Sequence, residues 1–62
     1  MSYIEDVKKW SEARKASGIS QKDISEKSGV SQQMVSDFEA LKKRSFPLYF
    51  FYKDNFGGVK NV

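Results

Sequence analysis

The sequence predicts an all-α protein, a small four-helix domain or a truncated five-helix one. Apolar residues recur at three- and four-residue spacing along most of the chain. Serines stand where helices would begin, and glycines stand where helices would end. With 62 residues, the chain has room for one domain, near the lower size limit for a core that folds without disulfides or metal.

The first helix is expected from Ser2 to Ala16. Ser2 is a suitable N-cap, and Glu5 three residues later completes a capping box. Ser17-Gly18 would end the helix. Helical spacing predicts one buried stripe along it, which comprises Ile4, Val7, Trp10 or Ser11, and Arg14.

Two short helices joined by a turn follow. Ser20 caps the second helix, which is expected from Gln21 to about Ser28, and Gly29 ends it in the left-handed conformation. Ser31 caps the third helix, which starts at Gln32. The buried face of this third helix is predicted to comprise Val35, Phe38 and Leu41. This layout is that of a helix-turn-helix over residues 20–39, whose second helix enters the major groove of DNA.

A fourth helix is expected over residues 47–56, with a strand as the rival interpretation. The run Tyr49-Phe50-Phe51-Tyr52 is β-prone. Pro47, however, suits a first helical turn, and Gly57-Gly58 would stop a helix. Helix is also favoured because one face would carry Leu48, Phe51, Tyr52 and Phe56. The domain is therefore predicted to span residues 1–57, with this aromatic helix at its end and a flexible tail over 58–62.

Composition argues against several function classes. The chain has no cysteine and no histidine, so disulfides and zinc sites built on thiolate or imidazole are excluded. It lacks a phosphate-binding glycine loop and an evident pair of catalytic carboxylates. No apolar run approaches the roughly 20 residues that cross a bilayer. We expect a non-enzymatic, soluble cytoplasmic protein with no metal or cofactor and no membrane partner.

The positive charge is concentrated in the last third of the chain. The net charge is +3, but residues 1–39 carry six basic and seven acidic side chains, whereas residues 40–62 carry five basic and one acidic. The densest run is Lys42-Lys43-Arg44. Its position favours contact with DNA phosphates beside the third helix. The alternative is an ordinary solvated surface that complements the helix dipole.

The face of the third helix opposite its buried side carries the candidate base contacts. Gln33 and Asp37 lie on this face, flanked by Gln32 and Ser36. Glutamine pairs with adenine through two hydrogen bonds, which are worth about 1–3 kcal/mol of discrimination. The alternative is that both glutamines are plain surface residues. Asp37 would repel phosphate, unless it accepts from the amino group of a cytosine or orients a neighbour.

Further phosphate contacts are expected at the helix N-termini, where backbone N–H groups and short polar side chains bind anions. The candidates are Ser20, Gln21 and Ser31. Capping is the alternative role of the serines, and it is compatible with phosphate binding.

Residues 18–39 resemble the Cro/Xre-type helix-turn-helix of lambdoid phage repressors. The matching residues are Ser20-Gln21, Ile24, Gly29-Val30-Ser31, Gln32-Gln33, Val35-Ser36 and Phe38-Glu39. The resemblance implies that Gln21 contacts phosphate, while Gln32 and Gln33 contact bases. It also implies a partly buried ion pair between Arg14 and Glu39, and a bacterial protein or a phage protein acting in the host cytoplasm.

The chain departs from that family pattern after Glu39. The pattern expects a glycine, but Ala40-Leu41 follows, which favours a longer recognition helix. Ser25 replaces a small apolar residue and would need a hydrogen-bond partner if buried. The chain leaves no room for a full fifth helix. Tyr49 and Phe50 then become a candidate protein interface, with the core as their alternative location.

Two functions are consistent with these observations. The first is a transcriptional regulator, a repressor or Cro-like protein, that binds double-stranded DNA sequence-specifically as a homodimer. The alternative is a protein-interaction module of antitoxin or anti-repressor type, which uses its aromatic surface to bind a protein partner.

Overall fold

The computed structural model describes residues 2–57, and these residues form four helices and no strand. The helices are α1 (Tyr3–Ala16), α2 (Gln21–Ser28), α3 (Gln32–Glu39) and α4 (Phe46–Phe56). The predicted all-α class is confirmed, and the strand interpretation of residues 47–56 is wrong. The tail predicted over 58–62 lies outside the described residues.

A serine caps the N-terminus of each of the four helices. The hydroxyl oxygens of Ser2, Ser20, Ser31 and Ser45 each accept a hydrogen bond from the backbone N–H three residues later, at 3.0–3.4 Å. At α2 the side chain of Asp23 also accepts from the backbone of Ser20, which completes a capping box. At α1, within the described part of the chain, only the serine half of the predicted capping box forms. Gly29 ends α2 in the left-handed conformation, as predicted.

The core lies where the four helices meet. Its buried apolar side chains are Val7, Trp10, Ile24, Val35, Phe38, Leu48 and Tyr52. The helix-turn-helix unit, α2 and α3, packs together on one side, and α1 packs against α4. The α1 stripe is confirmed from Val7 to Arg14. The stripe fails at Ile4, which is 51% exposed, because the neighbouring Tyr3 is the residue of the first turn that packs against the core.

The end of α3 differs from the prediction. The helix stops at Glu39 instead of continuing through Leu41, because Leu41 takes the left-handed conformation with φ of 64°. The backbone N–H groups of Lys42 and Lys43 then donate to the carbonyl of Asp37 at 2.9 and 3.3 Å, which satisfies the helix end. Leu41 thus replaces the expected glycine. The conformation costs about 1–2 kcal/mol, and packing of the Leu41 side chain against the core offsets it.

The left-handed conformation of Leu41 predicts that glycine is more stable than alanine at this position, the reverse of their usual order in a helix. Both Leu41→Ala and Leu41→Gly remove the packing, but only alanine keeps a Cβ in the left-handed region. We expect the glycine variant to be more stable than the alanine variant by about 1 kcal/mol, as measured by urea unfolding.

The matched control is the same pair of substitutions at Glu12, an exposed residue inside α1. There the alanine variant should be the more stable one, by about 1 kcal/mol. An alanine preference at both positions would contradict the strain assigned to Leu41.

Candidate nucleic-acid interface

A buried ion pair fixes the C-terminal end of α3. Arg14 Nε and Nη2 donate to the two carboxylate oxygens of Glu39 at 2.7 and 2.9 Å, and both side chains are under 10% exposed. The third guanidinium nitrogen, Nη1, donates to the carbonyl of Ile19 at 2.6 Å. The guanidinium therefore ties α3 both to the end of α1 and to the connection that leads into α2.

Two further donors reach the same carboxylate. Gln21 Nε2 donates to Glu39 Oε1 at 3.0 Å, and the hydroxyl of Tyr52 donates to Oε2. Side chains of all four helices thus meet at Glu39. Sequence reasoning missed Tyr52 as a partner, although a tyrosine on the inward face of α4 needs an acceptor for its hydroxyl.

The protonation states follow from this arrangement. Burial alone raises the pKa of Glu39, but the hydrogen bonds from Arg14, Tyr52 and Gln21 outweigh it and hold the pKa below its usual value. The hydrogen bond to Glu39 raises the pKa of Arg14. Burial, and next the bond to the carboxylate, raise the pKa of Tyr52 well above its usual range. The cluster therefore holds one anion, one cation and a neutral phenol at neutral pH.

The other end of α3 is open to solvent beside the start of α2. A shallow cleft of about 390 Å³ lies between them, lined by Gln21, Gln32, Gln33 and Ser36. Gln32 and Gln33 are exposed, whereas Gln21 and Ser36 are half-buried. These four predicted contact residues are brought together on one surface. Their amides and hydroxyl offer both donors and acceptors, as an edge-reading surface needs.

Asp37 lies one turn beyond Gln33 on α3. Its Oδ1 accepts a hydrogen bond from Gln33 Nε2 at 3.2 Å, and its side chain is half-buried. The acid that was expected on the reading face is therefore bonded to one of the glutamines there.

The remaining phosphate candidates lie in three different settings. Ser20 and Ser31 are exposed at the starts of α2 and α3, where their oxygens act as caps. Lys42 and Lys43 are exposed in the turn after α3. Arg44 differs, because its guanidinium lies 4.6 Å from the ring centre of Tyr3 and is held there by a cation–π interaction.

Ser25, the polar substitute in α2, has its partner. Its hydroxyl donates to the carbonyl of Val30 at 2.6 Å across the turn. The hydroxyl thus closes the turn of the helix-turn-helix unit.

The aromatic residues of α4 divide between core and surface. Tyr49 was expected off the inward face, but it is half-buried, with its ring 5.5 Å from Tyr3 and 5.0 Å from Trp10. The reason is that α1 packs alongside α4 and covers this side of it. Phe50 is 56% exposed, and Phe46, which the sequence did not single out, is 75% exposed. The exposed aromatic surface is therefore Phe46 and Phe50.

Residues 2–57 contain no group of three or more acidic side chains placed to hold a metal ion. Nor does that part of the chain contain a helix with the length and apolar character to cross a membrane.

Comparison with known proteins agrees with this geometry. A family model described as helix-turn-helix matches residues 11–46, more than half of the chain. No curated protein and no solved structure gave a match. The chain therefore belongs to the Cro-type helix-turn-helix family that its motif resembles. It is a DNA-binding regulator.

The Glu39 cluster predicts a pH-dependent effect of Tyr52→Phe, which keeps the ring and removes one donor. At pH 7 we expect it to lower the free energy of unfolding by about 1.5–3 kcal/mol, since the bond is to a charged group. Because the pKa of Glu39 is lowered on folding, the stabilisation is present above the unfolded-state value of about 4.3. It is lost as the pH falls through the folded-state pKa.

Urea unfolding of the wild type and the variant between pH 7 and pH 3 would measure this. The control is Tyr3→Phe, which also removes one phenol hydroxyl but breaks no bond to a carboxylate, because the Tyr3 hydroxyl has no hydrogen-bond partner among the described residues. A constant difference between Tyr52→Phe and the wild type over the whole range would contradict the assigned role.

Proposed function

From its membership of the helix-turn-helix family, we propose that this chain is a sequence-specific transcriptional regulator. It binds double-stranded DNA as a homodimer and represses by occupying an operator. The residues proposed to read bases are Gln32, Gln33, Ser36 and Asp37. Those proposed to hold phosphates are Ser20, Gln21, Ser31, Lys42, Lys43 and Arg44.

The cleft between the starts of α2 and α3 is the observation that carries this proposal. It brings Gln21 together with Gln32 and Gln33, so the residue proposed to contact phosphate and the two proposed to contact bases share one surface. A helix that enters the major groove by its N-terminal residues needs this arrangement.

The Glu39 cluster supports the proposal because it sets the direction of α3. Gln21 lines the cleft and is bonded to Glu39 through Nε2, so its Oε1 and second amide N–H remain available for a ligand. A side chain held in this way loses less entropy when it binds DNA than a free glutamine does. The reading surface is thus organised before DNA arrives.

The basic residues after α3 supply the sequence-independent attraction. Lys42 and Lys43 are exposed in the turn that follows the recognition helix. A phosphate contact by Arg44 would compete with its cation–π interaction with Tyr3. We therefore expect the two lysines to contribute more to the salt dependence of binding than Arg44 does.

A second copy of the chain is the proposed partner of the outer face of α4. Phe46 and Phe50 lie one turn apart on it, and Lys53 and Asp54 follow, also exposed. In a two-fold interface the same patch meets itself, so the phenylalanines can pack together while lysine and aspartate pair across the axis. Two recognition helices would then read half-sites about 34 Å apart.

The same phenylalanines favour one alternative function, binding of a different protein. In that case the purified chain would be monomeric, and the affinity for DNA would be weak and little affected by salt. Tight, salt-dependent binding of a dimer to duplex DNA would reject this alternative.

Gln32→Ala and Lys43→Ala should separate base reading from phosphate binding. We expect Gln32→Ala to reduce operator affinity by about 1–3 kcal/mol while leaving random DNA unaffected. Lys43→Ala should weaken both duplexes equally and reduce the salt slope by about 0.9 for each subunit, or about 1.8 for the bound dimer. The measurement is fluorescence anisotropy at several salt concentrations, with an operator obtained by binding-site selection. Equal losses on both duplexes for both variants would reject these roles.

Phe50→Ser should weaken the dimer. Loss of two phenylalanine side chains from a symmetric interface should raise the dimer dissociation constant at least tenfold, on the order of 1.4 kcal/mol or more. Analytical ultracentrifugation would measure it. Ile4→Ser is the matched control, because Ile4 is similarly exposed but lies on α1. An unchanged dimer in Phe50→Ser would exclude this face of α4 as the interface.

A further inference from the structure

We infer that Asp37, oriented by its bond to Gln33, is a specificity-determining residue that selects a cytosine in the operator half-site. This inference rests on the proposed function, since it names one base that the reading helix recognises.

The geometry leaves acceptors, rather than donors, on this part of α3. Gln33 Nε2 donates to Asp37 Oδ1 at 3.2 Å, so one amide N–H and one carboxylate oxygen are engaged with each other. Asp37 Oδ2 and Gln33 Oε1 remain as acceptors, against one remaining amide N–H. The pair therefore favours a base edge that presents a donor.

The negative charge of Asp37 makes the affinity for DNA depend strongly on which base faces it. Gln32, Gln33 and Ser36, the other residues of the reading surface, are neutral, so Asp37 places its one negative charge where DNA must approach. On DNA of any sequence this carboxylate repels the phosphates. The repulsion is compensated only where a base donates a hydrogen bond to the free oxygen.

Cytosine is the base that fits a carboxylate. In the major groove only the amino groups of cytosine and adenine donate, and adenine carries the acceptor N7 beside its amino group. That acceptor repels a carboxylate and suits the amide of a glutamine instead. Cytosine presents its amino group without a neighbouring acceptor on the same base.

Removal of the charge should therefore have opposite effects on two kinds of DNA. On random duplexes Asp37→Ala removes a repulsion, and we expect affinity to rise several-fold. On the selected operator it also removes the contact with cytosine, and we expect a net loss of roughly tenfold. An acid without a role in reading would give a gain on both.

The test begins with binding-site selection from random duplexes for the wild type, Asp37→Ala and Asp37→Asn. We expect a cytosine at one position of the wild-type half-site, no preference there for alanine, and a shift to adenine for asparagine, which pairs with it through two bonds. Dissociation constants on the selected operator, on the operator with that C·G pair changed to T·A, and on random DNA complete the comparison. Glu12→Ala is the matched control, because it makes the same charge change on an exposed position of α1, outside the proposed DNA and dimer surfaces.

The outcomes are distinguishable. If Asp37→Ala and Asp37→Asn keep the wild-type base distribution, or if Asp37→Ala gains equally on all duplexes, the inference is overturned while the regulator remains a sequence-specific one. If the wild type selects no sequence at all, the proposed function fails together with the inference. Circular dichroism melting of each variant verifies folding, and Asp37→Asn, which is nearly the same shape, keeps the test valid if the alanine variant unfolds.

Discussion

The carboxylate of Glu39 is the constraint on which the rest of the structure depends. A charge buried in so small a domain is tolerated only if its oxygens are filled with hydrogen bonds, and removal of one partner from such a pair costs about 3–5 kcal/mol. Arg14, Gln21 and Tyr52 supply those bonds from three different helices. The relative positions of the helices are therefore set by one polar group as much as by the apolar core.

This constraint divides α3 into a fixed end and an open end. Glu39 at its last residue is held from every side, while Gln32 and Gln33 at its first turn face solvent. The helix has only eight residues, so the orientation of its last turn determines that of its first. Gln21 touches both regions, since it bonds to Glu39 and also lines the cleft.

Much of this was predictable from local sequence signals, and the exceptions have physical causes. Serine caps, Gly29 and the apolar spacing depend on near neighbours, so they predicted four helices and the helix-turn-helix correctly. Leu41 was not predictable, because only its contact with the core explains a left-handed leucine. Tyr49 was misplaced for a similar reason, since α1 covers it from another part of the chain. The cleft residues were recognised from the motif, but the bonds of Tyr52 and Asp37 required the three-dimensional arrangement.

The separation between the two ends of α3 has a consequence for how such a protein can diverge. Substitutions at Gln32, Gln33 or Asp37 leave the buried cluster untouched, so they should change the free energy of unfolding very little. Substitutions at Arg14, Glu39 or Tyr52 leave a buried polar group without a hydrogen-bond partner, unless a second substitution compensates. The residues of the buried cluster are therefore expected to change together, while the exposed residues proposed to read bases can change one at a time.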